Sequence, residues 1–311
     1  MQRKDIHLIS RHSNVTENSV EEALQEHVYN NKEAWLHFLK NFLITLGIGF
    51  SVSGIIFFFA YNWADLHKFI KIGLIEGLIV ASTLVSLHPK FNQLTRNIIL
   101  SGVSVLVGVL FAVYGQIYQT GANAYDFFLG WTVFITIWTL IARFSPLWLI
   151  FLVLVNTTII LYSEQVANDW SQISIFSILF LVNLVALFGF LYFRKTESDS
   201  WFEYTLGLAV TFYATVGLII GIFHDTSPQF TILLILIIAT YSIGIWYGMK
   251  AKNGFYISVI PFSIIIVIAA YLINLSSSEG MFLLICLFII ASITLTIKNL
   301  LDTQKRWNNE K

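Results

Sequence analysis

Residues 173–193 read ISIFSILFLVNLVALFGFLYF, twenty-one positions without a charge. An apolar run of this length matches the roughly 20 residues that a helix needs to cross a hydrocarbon core of about 30 Å. Lipid gives backbone groups no hydrogen-bond partner, so the run must close its bonds internally as an α-helix. Polar breaks bound it on both sides, and the pattern repeats along the chain after residue 40. Spans are expected at 41–60, 69–87, 97–118, 125–142, 147–162, 173–193, 204–223, 230–248, 255–274 and 280–297. Span 5 is the shortest and starts just after Pro146, so spans 4 and 5 read either as two crossings or as a tight, partly re-entrant hairpin. The chain is 57% hydrophobic and 12% charged, with mean hydropathy +0.75, against about 25% charged in a soluble domain.

The fold class is therefore all-α: a polytopic transmembrane bundle of ten spans. Four segments follow: a helical extension over 1–40, a first transmembrane half over 41–162, a second half over 163–298, and a tail over 299–311. Lysine and arginine are retained on the cytoplasmic side of short loops. With the N-terminus inside, that side holds Arg3, Lys4, Arg11, Lys32, Lys40, Lys90, Arg96, Arg143, Arg194, Lys195, Lys250, Lys252, Lys298, Lys305, Arg306 and Lys311. The outside holds Lys68 and Lys71. This asymmetry makes both termini cytoplasmic. Residues 1–40 are too polar for a signal peptide, so span 1 is the expected insertion signal. Cys286 is the single cysteine, which leaves no disulfide framework and no thiolate zinc site.

Within the extension, Ser19 and Glu22 form an S-x-x-E capping box. Ala23, Leu24, His27 and Val28 follow on one face. Asn30 and Asn31 interrupt it before a second helix that carries Trp35, Phe38, Leu39 and Phe42 into span 1. Five basic residues against six acidic ones over residues 1–40 form no lipid-anchoring or nucleic-acid patch. The segment is expected to pack on the cytoplasmic loops or to bind a partner.

Membrane helices associate where small residues let backbones approach and where polar groups bond across helices. Ser101, Ser104, Gly108, Ala112 and Gly115 make such a stripe in span 3, and Gly207, Ala214, Gly217 and Gly221 make one in span 7. G-x-x-x-G occurs at Gly73/Gly77, Gly217/Gly221 and Gly244/Gly248. An offset of 54 matches Gly54, Phe57 and Asn62 with Gly108, Phe111 and Gln116, either as an internal repeat or as convergence between two similar hairpins.

The densest polar content lies in two outer loops, AYNWADLHK at 60–68 and GQIYQTGANAYD at 115–126. Asn62, Trp63, Asp65, Gln116, Tyr118, Gln119, Asn123 and Asp126 are the candidate ligand-binding residues. Tyrosine and tryptophan there can equally form an interfacial belt, with Asn, Gln and Asp capping helix ends. The alternative is a shared outer pocket for a small ligand or part of a membrane protein partner. Glu76 is the carboxylate placed well inside the hydrocarbon, on a face with Gly73, Val80 and Thr83 that should turn into the bundle. An ionisable group there is a functional hypothesis by default: a proton carrier, or a carboxylic acid bonded to Asn183 or Asn156.

Enzyme signatures are missing. The seven histidines form no metal-ligating pair with a catalytic glutamate, and there is no phosphate-binding G-x-x-x-x-G-K-S/T loop and no G-x-S-x-G elbow. Asp65, His67 and Asp126 are the available acids and bases. No catalytic residue, metal site or cofactor is expected.

The A-Y-N-W-A-D-L segment at Ala60–Leu66, Lys71 beyond it, G-Q-I-Y-Q-T-G-A-N at Gly115–Asn123 and the Phe128–Trp131 stretch resemble the bacterial predicted-membrane-protein family labelled domain of unknown function 2157. The resemblance covers about 41–162 and implies a multispanning inner-membrane protein without an assigned activity. The reading that follows is a non-enzymatic binding, sensory or assembly component of the bacterial inner membrane, with lipid and an outer-surface ligand or protein as its partners and no nucleic acid. The second reading is a proton-coupled permease using Glu76. A third is a membrane enzyme.

Overall fold

The computed structural model describes residues 19, 20, 24, 32–61, 66–118, 121, 123–193, 200–224, 228–276 and 278–309. Ten long helices follow one another: α1 (Lys32–Tyr61), α2 (Lys68–Ser86), α3 (Gln93–Tyr118), α4 (Ala124–Ala142), α5 (Ser145–Gln165), α6 (Gln172–Phe193), α7 (Ser200–His224), α8 (Pro228–Lys250), α9 (Gly254–Leu275) and α10 (Glu279–Asn309). All ten are long and apolar enough to span a membrane, so this is a membrane protein with many spans. Ser19, Val20 and Leu24 are helical, and Leu24 is buried. Glu22, the partner in the expected capping box, lies outside the described residues.

Two helices overrun their expected spans. α1 begins at Lys32 rather than at 41, and α10 continues to Asn309 rather than stopping at 297. Hydropathy marks where lipid ends, whereas a helix continues as long as its backbone bonds and residues such as Lys298, Gln304 and Arg306 allow it. Spans 4 and 5 are two separate helices joined through Arg143 and Phe144. α5 has 21 residues, about 31 Å of rise. Arg143 takes the left-handed conformation (φ 46°), Phe144 is extended, and Pro146 sits in the first turn of α5, where its missing N–H loses no helical bond.

The helices cluster into two compact units, Met1–Thr120 with Leu140–Ala142, and Gly121–Thr139 with Arg143–Lys311. In the first, α3 packs against both α1 and α2. Phe59, Ile75 and Val113 form its buried centre, joined by Ile55, Ile79 and Val109. A Cβ on Gly102 would lie 2.6 Å from Ile48 Cγ2, so the glycine lets α1 approach α3 closely there. The approach of Ile48 to Gly102 has the same offset of 54 noticed in the sequence.

In the second unit, α6 and α7 form the broadest contact and α9 packs against α7, α8 and α10. Phe180, Leu206, Ala214, Leu233 and Ile237 are its centre. The small stripe of α7 works as expected: a Cβ on Gly207 would meet Phe255 Cε1 at 2.8 Å, and one on Gly217 would meet Leu233 at 3.0 Å. The stripe at Gly73 and Gly77 does not, since nothing lies within 4 Å of a Cβ at either position.

Candidate functional site

Of the loop residues singled out in the sequence, Asn62, Trp63, Asp65 and Gln119 lie outside the described residues. Gln116 and Tyr118 belong to the first unit, near the end of α3. Gln116 is exposed, and Tyr114 and Tyr118, one turn apart, bring their rings to 4.5 Å. His67 is the N-cap of α2, its Nδ1 accepting from Phe69 N–H at 3.4 Å.

Asn123 and Asp126 belong to the second unit. Asn123 caps α4 in an extended conformation, but its side chain makes no cap bond, and its carbonyl accepts from Asp126 N–H at 3.1 Å. The start of α4 is held instead by Gln165, whose Oε1 accepts from Tyr125 N–H at 3.1 Å. Tyr125 meets Tyr162 edge-on at 5.2 Å, and Tyr162 meets Trp170 at 5.6 Å. Asn123 and Asp126 stay exposed beside this aromatic row.

Glu76 does not turn into the first unit as expected. The inward face of α2 is set by Lys71, 7% exposed, and Ile75, 0% exposed, which lie one turn apart. Glu76 is about 100° round the helix from Ile75 and is exposed. The proposed amide partners are engaged with each other. Asn156 Nδ2 donates to Asn183 Oδ1 at 3.3 Å, and Asn183 Nδ2 donates back to Asn156 Oδ1 at 2.9 Å.

A different carboxylate is buried. Glu203, in the first turn of α7, is 2% exposed, and its Oε1 accepts from Tyr256 Oη at 2.9 Å. Gly207, one turn along, leaves the space that the Phe255 and Tyr256 rings enter. Tyr204 stacks on Phe255 at 4.5 Å, and Tyr247 meets Tyr256 at 5.5 Å. The span prediction began at 204, so Glu203 reads in the sequence as a loop residue at the water's edge. The available signal was spacing: Glu203, Gly207, Thr211 and Thr215 recur at four-residue steps along one face of α7.

Further along that face lies a chain of hydroxyls. Thr215 Oγ1 donates to the Thr211 carbonyl at 2.6 Å, so the bond between Thr215 and Ser263 at 2.6 Å takes its proton from Ser263. Tyr241 Oη then donates to Ser263 Oγ, also at 2.6 Å. Each hydroxyl has one proton to give, and this order uses each once. Pro261 lies inside α9 two residues before Ser263, where it removes one backbone bond. Asn274 Nδ2 donates to the Ile222 carbonyl at 3.0 Å. The pairs 203/256, 215/263 and 222/274 ascend α7 and α9 in the same direction, as expected for parallel helices. The arrangement can hold three helices in register and keep a carboxylate out of solvent. Among the described residues no group of three His, Cys, Asp or Glu side chains could hold a metal ion.

No curated protein and no solved structure matches the chain. The family model described as Predicted membrane protein (DUF2157) matches residues 11–148, a stretch that contains both loop motifs and ends before the polar contacts of α7 to α9, and over it the resemblance to that membrane-protein family holds.

Proposed function

We propose that the protein is a non-enzymatic component of the bacterial inner membrane, with both termini cytoplasmic, that binds a small ligand or a membrane protein partner through its two outer loops in a sensory or assembly role. The observation behind this reading is a contrast in how polar side chains are used. Within the helices, Asn156 bonds Asn183, Tyr256 bonds Glu203, and Ser263 bonds both Thr215 and Tyr241 across helix interfaces. At the loop ends, Gln116, Asn123 and Asp126 are exposed, and the Asn123 carboxamide is not spent on its own helix. Groups of that kind can meet a ligand without first breaking the fold. Cysteines placed at 116, 123 and 126 in a Cys286→Ser background would react with a membrane-impermeant maleimide in intact cells, and periplasmic extract would slow that reaction. Reaction only after permeabilisation would overturn the topology. Equal rates with and without extract would overturn the binding role.

A proton-coupled permease is the second reading, and the buried Glu203 supports it better than the exposed Glu76 does. Glu203→Gln would then abolish proton-linked flux in proteoliposomes while the protein stays folded, and Glu76→Gln would not.

A further inference from the structure

α2 has 19 residues, a rise of about 28 Å, which matches a hydrocarbon core of about 30 Å. Glu76 is the ninth of them, so its level is close to the bilayer midplane, and it is exposed. Among the described residues no hydrogen bond or ion pair reaches it. Ionisable side chains at that depth are costly, and they pair with one another or face a bundle interior. Glu76 does neither within the first unit.

The face that carries it permits close approach. At 100° per residue, Phe69, Gly73, Glu76, Gly77, Val80 and Leu84 share one side of α2, opposite the buried Lys71 and Ile75. All six are exposed. A Cβ at Gly73 or Gly77 would meet nothing within 4 Å, whereas one at Gly207 or Gly217 of α7 would meet a neighbouring side chain. The G-x-x-x-G pair of α2 is therefore unused among the described residues. Two glycines one turn apart let a second helix backbone come close, and Glu76, next to Gly77, is carried into that contact.

The chemistry of the carboxyl group selects the occupant. A lipid tail offers it no bond. A carboxyl group that holds its proton donates one hydrogen bond and keeps the capacity to accept, so it complements a second copy of itself. Across a two-fold axis one surface meets its own duplicate. With that axis along the membrane normal both copies keep the same topology, glycine faces glycine, and Glu76 faces Glu76.

We propose that α2 is the interface of a homodimer in the membrane, with Gly73 and Gly77 of the two copies in contact and the two Glu76 carboxyl groups hydrogen-bonded to each other. The pairing is independent of the outer-loop reading. Each copy folds without it: at high dilution in detergent the copies separate by mass action, and the unfolding of the single chain there does not register the contact.

Energy transfer between donor- and acceptor-labelled full-length copies in phosphatidylcholine vesicles, followed over a range of protein-to-lipid ratios, tests it. Wild type should show transfer that fades as lipid is added. Glu76→Leu should weaken association by about threefold to thirtyfold, the worth of a hydrogen bond between membrane helices. Gly77→Leu should weaken it by about fivefold or more, as overpacking of a close contact does. Glu76→Gln, whose amide also donates and accepts, should stay within about threefold of wild type. Gly54→Leu, at an equally open glycine of α1, should leave association unchanged. A cysteine at Val80 in the Cys286→Ser background should cross-link two copies on oxidation, and one at Val185, exposed on α6, should not. That comparison keeps Glu76 and both glycines in place and does not depend on how the leucine variants fold. Wild type that stays monomeric at every ratio would overturn the proposal. So would equal association of wild type, Glu76→Leu and Gly77→Leu, or cross-linking at 185 rather than at 80.

Discussion

Tyr256 Oη donates a 2.9 Å hydrogen bond to Glu203 Oε1, joining the first turns of α7 and α9 across 53 residues of sequence. Gly207 lies beside this contact, where a side chain would press on the Phe255 ring at 2.8 Å. A carboxylate so placed also sits where the α7 backbone dipole favours negative charge.

Tyr256→Phe removes the donor and keeps the ring. It should destabilise the protein by about 0.6 to 2 kcal/mol, the range for hydrogen bonds between membrane helices. Glu203→Gln keeps an acceptor and should cost less than Glu203→Leu. Denaturant unfolding of the single and double variants checks the coupling, and additive losses for Tyr256→Phe and Glu203→Leu would show that the two groups do not act as a pair.

Gly207 and Gly77 should respond oppositely to alanine. At Gly207 the new methyl meets Phe255 at 2.8 Å, so overpacking of roughly 1 to 3 kcal/mol is expected. At Gly77 nothing lies within 4 Å, and alanine should be neutral or stabilise by up to about 1 kcal/mol through helix propensity. Thermal melts of both variants in one detergent decide this, and equal loss at the two positions would contradict the packing described.

Ser263 is the middle of the hydroxyl chain, so Ser263→Ala deprives both Thr215 and Tyr241 of a partner. The expected loss is about 1 to 3 kcal/mol for a buried polar group left unpaired. Combining Ser263→Ala with Tyr241→Phe should cost less than the two separate losses together, because the second change removes an orphaned hydroxyl. Strict additivity in a double-mutant cycle would count against the chain.

Glu76 lies on the exposed face of α2. Glu76→Gln should leave unfolding within about 0.5 kcal/mol of wild type, and Glu76→Leu should be neutral or stabilising, because an outward-facing carboxylate within a membrane span is costly. A much larger loss in Glu76→Leu alone would mean that the carboxylate has a structural partner.

The number of helices, their order and their approximate places were legible in the sequence, because a bilayer imposes one length on every crossing and hydropathy averages over all faces of a helix. The small-residue stripe of α7 was legible too, since Gly207 and Gly217 are where neighbouring side chains come close. Which carboxylate is buried was decided by tertiary structure alone. Glu76 sits mid-helix and faces outward, whereas Glu203 sits at a span edge and is enclosed, because the facing of a side chain depends on which neighbour its helix meets. Glu203 is enclosed by Tyr256 from a helix two crossings later, and the Asn156–Asn183 and Thr215–Ser263–Tyr241 contacts likewise join helices that one-dimensional hydropathy treats as separate. A polar residue inside an apolar run announces a need for a partner, and only the packing of the helices supplies its identity.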